Sequence, residues 1–189
     1  TKDKMFGRTK DWANKWAYQL GLKYINVAGI NNLDAQFELN QVRPYVYQHR
    51  YKSQNWIHYN QSLAHPLGAN FRELVGVLRY QPINRLQLEA LAIYNKQGTD
   101  SSETGLTYGG NAIRAYENIP NRSFAPMFQG VLQTNTVLQF TATYMLWHNL
   151  FMDARYTYHQ RTNELKQDNT NHLFTIGLRM NALPYRWFE

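Results

Sequence analysis

Cysteine is absent from this 189-residue chain. That removes disulfide frameworks, thiolate metal sites and cysteine nucleophiles together. Charge is also scarce: Asp, Glu, Lys and Arg make up only 17% of residues. A disordered chain is charge-rich and aromatic-poor, so disorder is excluded as well. No apolar run approaches the roughly 20 residues of a membrane-spanning helix, and mean hydropathy is −0.60. Asp and Glu are outnumbered, 13 against 20 Lys and Arg, which leaves a formal charge of +7.

What is present is aromatic and amide-rich. The chain has 14 Tyr, 9 Phe and 5 Trp, set among Gln, Asn and Thr. The length suits one domain.

Alternation with period 2 dominates the sequence. Trp16, Tyr18, Leu20, Leu22 and Tyr24 oppose Ala17, Gln19, Gly21 and Lys23. Leu33, Ala35, Phe37 and Leu39 oppose Asp34, Gln36, Glu38 and Asn40; the phase slips near Val42, which predicts a bulge before Pro44. Strands are also expected over Phe71–Tyr80 and Leu86–Asn95. Between Gly130 and Trp147 one parity (Leu132, Thr134, Thr136, Leu138, Phe140) runs on unbroken, so Thr134-Asn135-Thr136 is read as strand rather than turn. His148-Asn149 then predicts a hairpin into Leu150–Tyr158, and Phe174–Asn181 is the last strand.

The chain therefore reads as all-β, with about seven antiparallel strands over 16–181. The residues before Trp16 are expected as a linker, and 182–189 as an aromatic tail. Alternation alone does not choose between a soluble sandwich, with its apolar face inside, and a membrane barrel, with that face outside. Link lengths favour the barrel. Long links (Gln48 to Asn70, Lys96 to Gln129, and a medium one from Arg161 to Asn171) alternate with short ones, as in outer-membrane barrels. With the long links outside, the last strand runs inward and 1–15 lies on the outer side. An odd strand count, and a start at Thr1 without a signal-peptide pattern, predict the C-terminal strands of a larger up-and-down transmembrane barrel.

Residue type and spacing bear on several chemistries. His49, His58 and His65 are too widely spaced for a compact metal site, and no metal is expected. The run Asp100-Ser101-Ser102-Glu103 lacks the ligand pattern of a calcium loop. Asp153, Arg155 and His159 share a polar strand face without a nucleophile elbow, so no catalytic residue or cofactor is expected; a membrane-embedded hydrolase using Asp153 and His159 is the alternative. Lys23, Asp34, Glu38, Arg79, Glu89, Arg155 and Arg179 form a mixed-sign inner set rather than a selectivity ring. Excess cations sit in links and ends (Lys2, Lys4, Arg8, Lys10, Lys15, then Arg43, Arg50, Lys52, Arg72). No nucleic-acid motif accompanies them; lipopolysaccharide phosphates or acidic glycan fit better. Tyr45, Tyr47, Tyr51, Trp56 and Tyr59 crowd the first long link. Girdle and packing roles are the ordinary explanation; for glycan or partner binding, Arg43, Trp56, Tyr59 and Asn60 are the candidates. A soluble β-barrel ligand carrier is the remaining alternative.

Two segments carry a resemblance. One is Asn32–Asn40 leading into Val42-Arg43-Pro44-Tyr45-Val46-Tyr47. The other is His58–Glu73, with His58, His65, Pro66, Gly68 and Asn70 its most specific residues. Together with Ile176-Gly177-Leu178-Arg179 they resemble Bacteroidetes outer-membrane proteins of the Wzi-like capsule assembly and RemB-like gliding motility group, over residues 6 to 188. The resemblance implies a non-enzymatic outer-membrane barrel. Its expected partners are membrane lipid, lipopolysaccharide, capsular polysaccharide or other subunits of a gliding or secretion complex.

Overall fold

The computed structural model describes residues 10–101, 105–165 and 168–181. Nine strands are described: β1 (Ala17–Tyr24), β2 (Leu33–Val42), β3 (Ile57–His58), β4 (Gln61–Ser62), β5 (Phe71–Ile83), β6 (Leu86–Thr99), β7 (Val131–Trp147), β8 (Leu150–Asn163) and β9 (Asn169–Met180). Seven form one antiparallel sheet in the order β1-β2-β5-β6-β7-β8-β9, and β3 with β4 make a separate hairpin. Apart from that inserted hairpin, each strand pairs with its neighbours in sequence, an up-and-down order. The described sheet is open, with β1 and β9 as its edges.

The unbroken parity through Thr134-Asn135-Thr136 does correspond to one strand, the 17-residue β7. Asn149 closes the β7–β8 hairpin at φ 60°, a conformation that Asn tolerates better than most residues. The bulge expected near Val42 is absent: Val42 pairs in register with Ala17 on one side and Phe71 on the other. Alternation fails there because Asn40, Gln41 and Val42 are all buried, so neither face is wet. The register instead shifts between Tyr80 and Ile83, around Pro82, which has no N–H for the ladder. A second shift lies between Met145 and Trp147. Strands β6, β8 and β9 each run several residues past their hydrophobic alternation, so the medium link expected from 161 to 171 shrinks to 164–168.

Burial is inverted relative to a soluble sandwich. The apolar face is the exposed one: Leu22 is 70% exposed, Phe140 55% and Ile176 65%. Along β7 this apolar face runs from Leu138 to Leu146, about 27 Å at roughly 3.4 Å per residue. Its upper border is polar: Arg72 Nε donates to Gln41 Oε1 at 2.6 Å and the Tyr18 hydroxyl to the same oxygen at 3.2 Å. The opposite face is half-buried and cross-linked by charge. Arg79 meets Glu89 at 2.8 Å, Arg179 meets Asp153 at 3.1 Å and Lys23 lies 4.0 Å from Asp34. Of the mixed-sign set expected there, Lys23, Asp34, Arg79, Glu89 and Arg179 are thus joined into pairs rather than a ring.

Candidate functional site

Both long links, 43–70 and 100–130, leave the same end of the sheet, and they fold over that end as a cap. Close packing in the described chain concentrates there. Tyr45, Ala69, Phe71, Asn70, Gln48 and Ala125 are fully buried, and Ala112 nearly so.

Asn70 is the hub. It sits at φ 58°, and its amide Nδ2 donates to the carbonyls of Gly98 and Gln129, each at 2.9 Å. Its Oδ1 accepts from Phe128 N–H at 2.7 Å, and its carbonyl accepts from Gly98 N–H at 3.0 Å. One side chain thereby ties the first link to β6 and to the end of the second link. The approach is so close that a Cβ on Gly98 would collide with Gln129 O and Asn70 Nδ2.

Tyr45 is the second tie. Its hydroxyl donates to Thr107 O at 2.6 Å and accepts from Gln129 Nε2 at 3.2 Å. Its ring lies on Gly109, where a Cβ would come within 2.8 Å of it. Burial, followed by the nearby Asp100 charge, pushes the phenol well above its ordinary range. Of the expected linker, residues 10–15 are described and pack on the cap. The Trp12 ring lies 4.9 Å from Tyr116, and Lys15 Nζ donates to Gln48 O at 2.8 Å while sitting over the Trp12 ring. Burial lowers the Lys15 ammonium pKa.

His65 docks the cap onto the polar face of the sheet. Leu67 N–H donates to His65 Nδ1 at 3.2 Å, which puts the ring proton on Nε2, 3.0 Å from Glu73 Oε2. Glu73 belongs to a polar row in register across all seven strands: Gln19, Asn40, Glu73, Asn95, Asn135, Arg161 and Asn169. Asn40 Nδ2 donates to Glu73 at 3.1 Å and Asn135 Nδ2 to Asn95 Oδ1 at 2.8 Å.

The candidate binding residues separate into two environments. Trp56 (57% exposed) and Tyr59 (89%) stand out from the cap, with Asn60 beside them. They belong to the β3–β4 hairpin, whose two-residue turn places Tyr59 at φ 47° and Asn60 at φ 60°. Asn favours that left-handed region, whereas a bulky aromatic there is strained. His58 packs edge-on to Tyr59 with centroids 4.4 Å apart. Beneath them, buried Asn55 anchors the hairpin by donating to the carbonyls of Ala112 and Arg114, both at 2.9 Å. Arg43 is different: it is 8% exposed. Its guanidinium donates to Ala125 O at 3.0 Å and lies over the Trp16 ring. Burial lowers its pKa, and Asp11 partly offsets this. The motif residues divide likewise. Asn70 and His65 hold the cap together, Gly68 turns at φ 72° directly against Gly110 O, and His58 is exposed.

Asp153 and His159 do not meet. They lie six positions apart on β8, roughly 20 Å, and Asp153 is engaged by Thr143 Oγ1 at 2.7 Å and Arg179 Nε at 3.1 Å. Among the described residues, no three His, Asp or Glu side chains converge to hold a metal ion.

Sequence reasoning missed a recess of about 610 Å³ between the two links, lined by Ser62, Leu67, Asp100, Ile113 and Arg114 among others. Asp100 Oδ1 accepts from Tyr108 N–H at 2.7 Å, and Arg114 Nη1 stands 3.9 Å from Oδ2. Burial raises the Asp100 carboxyl pKa against the pull of those backbone donors and Arg114. The two residues are far apart in sequence, and nothing in the local pattern links them.

The family model described as Capsule assembly protein Wzi matches residues 4–176. No curated protein and no solved structure matches.

Proposed function

This chain belongs to the capsule assembly protein Wzi family, and from that premise we propose that it forms part of the wall and outer cap of an outer-membrane barrel that holds capsular polysaccharide at the cell surface. The observation that carries this reading is the pairing of an outward apolar face with a tightly built polar cap at one end only. An apolar strip about 27 Å long on β7 is close to the roughly 25 Å lipid-facing band of outer-membrane barrels. The inner face, with its paired charges, suits a filled or wet lumen. The edges of β1 and β9, unpaired among the described residues, are templates for further strands, since an open edge in hydrocarbon leaves backbone groups unsatisfied.

In this reading the cap faces outward and the β3–β4 hairpin is its contact point. Trp56 and Tyr59 offer ring faces to the C–H faces of sugars, while Asn60 and the cap's cations meet hydroxyls or acidic groups. Arg43 contributes through the fold of the cap rather than by touching glycan. Strain at an exposed aromatic turn residue is a feature found at binding sites.

The test is binding of purified capsular polysaccharide to the membrane-embedded protein carrying Trp56→Ala and Tyr59→Ala together, with Asn55 left in place. Affinity is expected to fall about tenfold or more, as for paired aromatic anchors, with thermal stability unchanged. Full affinity in the double variant would remove the hairpin from the binding surface.

A further inference from the structure

Charge is divided unevenly between the two faces of the sheet. All five carboxylates on its seven strands (Asp34, Glu38, Glu73, Glu89 and Asp153) occupy the polar face. Of Asp, Glu, Lys and Arg, the apolar face carries only Arg72 on β5 and Lys96 on β6, both cations. They are direct cross-strand partners. Further along the same two strands the opposed pair is Arg79 with Glu89, an ion pair at 2.8 Å. Like charges set opposite each other, with Cβ atoms roughly 5 Å apart, destabilise a sheet. No carboxylate among the described residues pairs with either cation. Among those residues Arg72 is held through Nε alone, 2.6 Å from Gln41 Oε1, and Lys96 Nζ lies 5.4 Å from the Phe128 ring centroid. Arg72 is exposed and Lys96 half-buried, so the pair is reachable from outside.

Depth narrows the occupant. On this face of β6 apolar residues run from Leu86 to Tyr94, about 27 Å at roughly 3.4 Å per residue. Lys96 is the next outward position. Leu74 and Tyr94, directly below the two cations, are exposed. Tyr18 shares their row and stacks on Trp16 with centroids 5.6 Å apart, as in the aromatic belts that mark a membrane–water boundary. A ligand here has the apolar band beneath it and the cap above it, which suits a lipid headgroup rather than a soluble anion. The row in register, Tyr18-Gln41-Arg72-Lys96-Thr134-Thr162, sets hydroxyl and amide groups beside the charges. Two cations match the charge of roughly −1.5 to −2 on a phosphate monoester better than the single charge of a phosphodiester. The guanidinium fork also grips phosphate oxygens in pairs.

We propose that Arg72 and Lys96 bind the phosphate monoester of an outer-leaflet glycolipid, whose acyl chains lie on Leu74 and Tyr94. This rests on the reading of the apolar face as lipid-facing and the cap as outward. It adds a lipid site on the outer wall, apart from the hairpin that meets polymer.

The test titrates the whole protein, extracted in mild detergent, with diphosphoryl lipid A, with lipid A stripped of both phosphates, and with phosphatidylglycerol. Bound lipid is counted by native mass spectrometry. Diphosphoryl lipid A is expected to bind at least about tenfold tighter than the other two. Arg72→Gln with Lys96→Gln removes that preference, Arg72→Lys with Lys96→Arg keeps most of it, and Arg79→Gln on the polar face keeps all of it. Equal binding of the stripped lipid to the unaltered protein overturns the proposal, whatever the folding of any variant. Phosphatidylglycerol binding as tight as that of lipid A, or an undiminished preference in the double Gln variant, does the same. A fluorophore at position 138, exposed to a lipid-soluble quencher in the bilayer, reports the lipid-facing reading separately. Quenching that persists leaves that reading standing when the phosphate site fails, and its absence removes both.

Discussion

The sheet and the cap solve opposite problems. In the sheet, large apolar side chains such as Leu22, Phe140 and Ile176 are outermost, and the half-buried face carries Gln, Thr and ion pairs. In the cap and the strand ends beneath it, the buried set includes six apolar residues and twelve polar ones among the described residues. Packing there is consequently decided by hydrogen bonds rather than by area. The difference teaches where specificity resides. A sheet with an apolar outer face needs only the correct parity, whereas a cap made of irregular backbone must find partners for its buried backbone N–H and C=O groups. Asn70, Tyr45, Asn55 and Gln48 serve that purpose.

The largest effect is expected from breaking the cap at its hub. Asn70→Ala removes acceptors and donors for Gly98, Gln129 and Phe128 and leaves those groups buried. A loss of about 3–5 kcal/mol of cap stability is expected, read as rapid proteolysis of 43–70 and 100–130 while the sheet stays protected. Asn70→Gly relieves the φ 58° strain but recovers little, which separates backbone geometry from hydrogen bonding.

Next comes the sheet's outer face. Leu138→Arg is expected to cost about 2–4 kcal/mol if that face meets lipid, measured by denaturant titration in bilayers. In water the same change costs within about 0.5 kcal/mol. Third is Asp100→Asn. A raised folded-state carboxyl pKa means the native state favours the protonated form. The charged group therefore weighs against stability as pH rises above its unfolded value of 3.8. The variant is expected to be at least as stable as the parent at neutral pH, with its advantage vanishing in acid, by thermal melts across pH. The smallest effect belongs to Arg79→Gln. Its pair with Glu89 is half-exposed, so a change of about 0–1 kcal/mol is expected.

The same contrast explains what the sequence disclosed. The seven sheet strands are legible from alternation, because a single slip would turn every Leu and Tyr to the wrong face. Legibility fails where both faces become polar or buried. Lys96-Gln97-Gly98-Thr99 continues β6 with no hydrophobic signal, and Asn40-Gln41-Val42 loses its phase under the cap. In the cap, Trp56 and Tyr59 stand exposed, but Arg43 is buried, engaged with the carbonyls of Asp11 and Ala125. Asn70 drew notice only within a motif; its left-handed backbone and four partners are tertiary facts. The Asp100–Arg114 pair forms only when the second link folds back on itself. The aromatic tail, 182–189, lies outside the described residues.

The central claim is that the apolar face of the sheet meets lipid and the polar face does not. Because the chain contains no cysteine, single cysteines can be placed without background. At Leu138, Gln139, Phe140, Thr141 and Ala142 of β7, in the intact protein in its membrane, each can be paired in turn with a lipid-soluble quencher of an attached fluorophore. The account predicts strong quenching at 138, 140 and 142 and weak quenching at 139 and 141. Uniformly weak quenching, or the reverse parity, would contradict it.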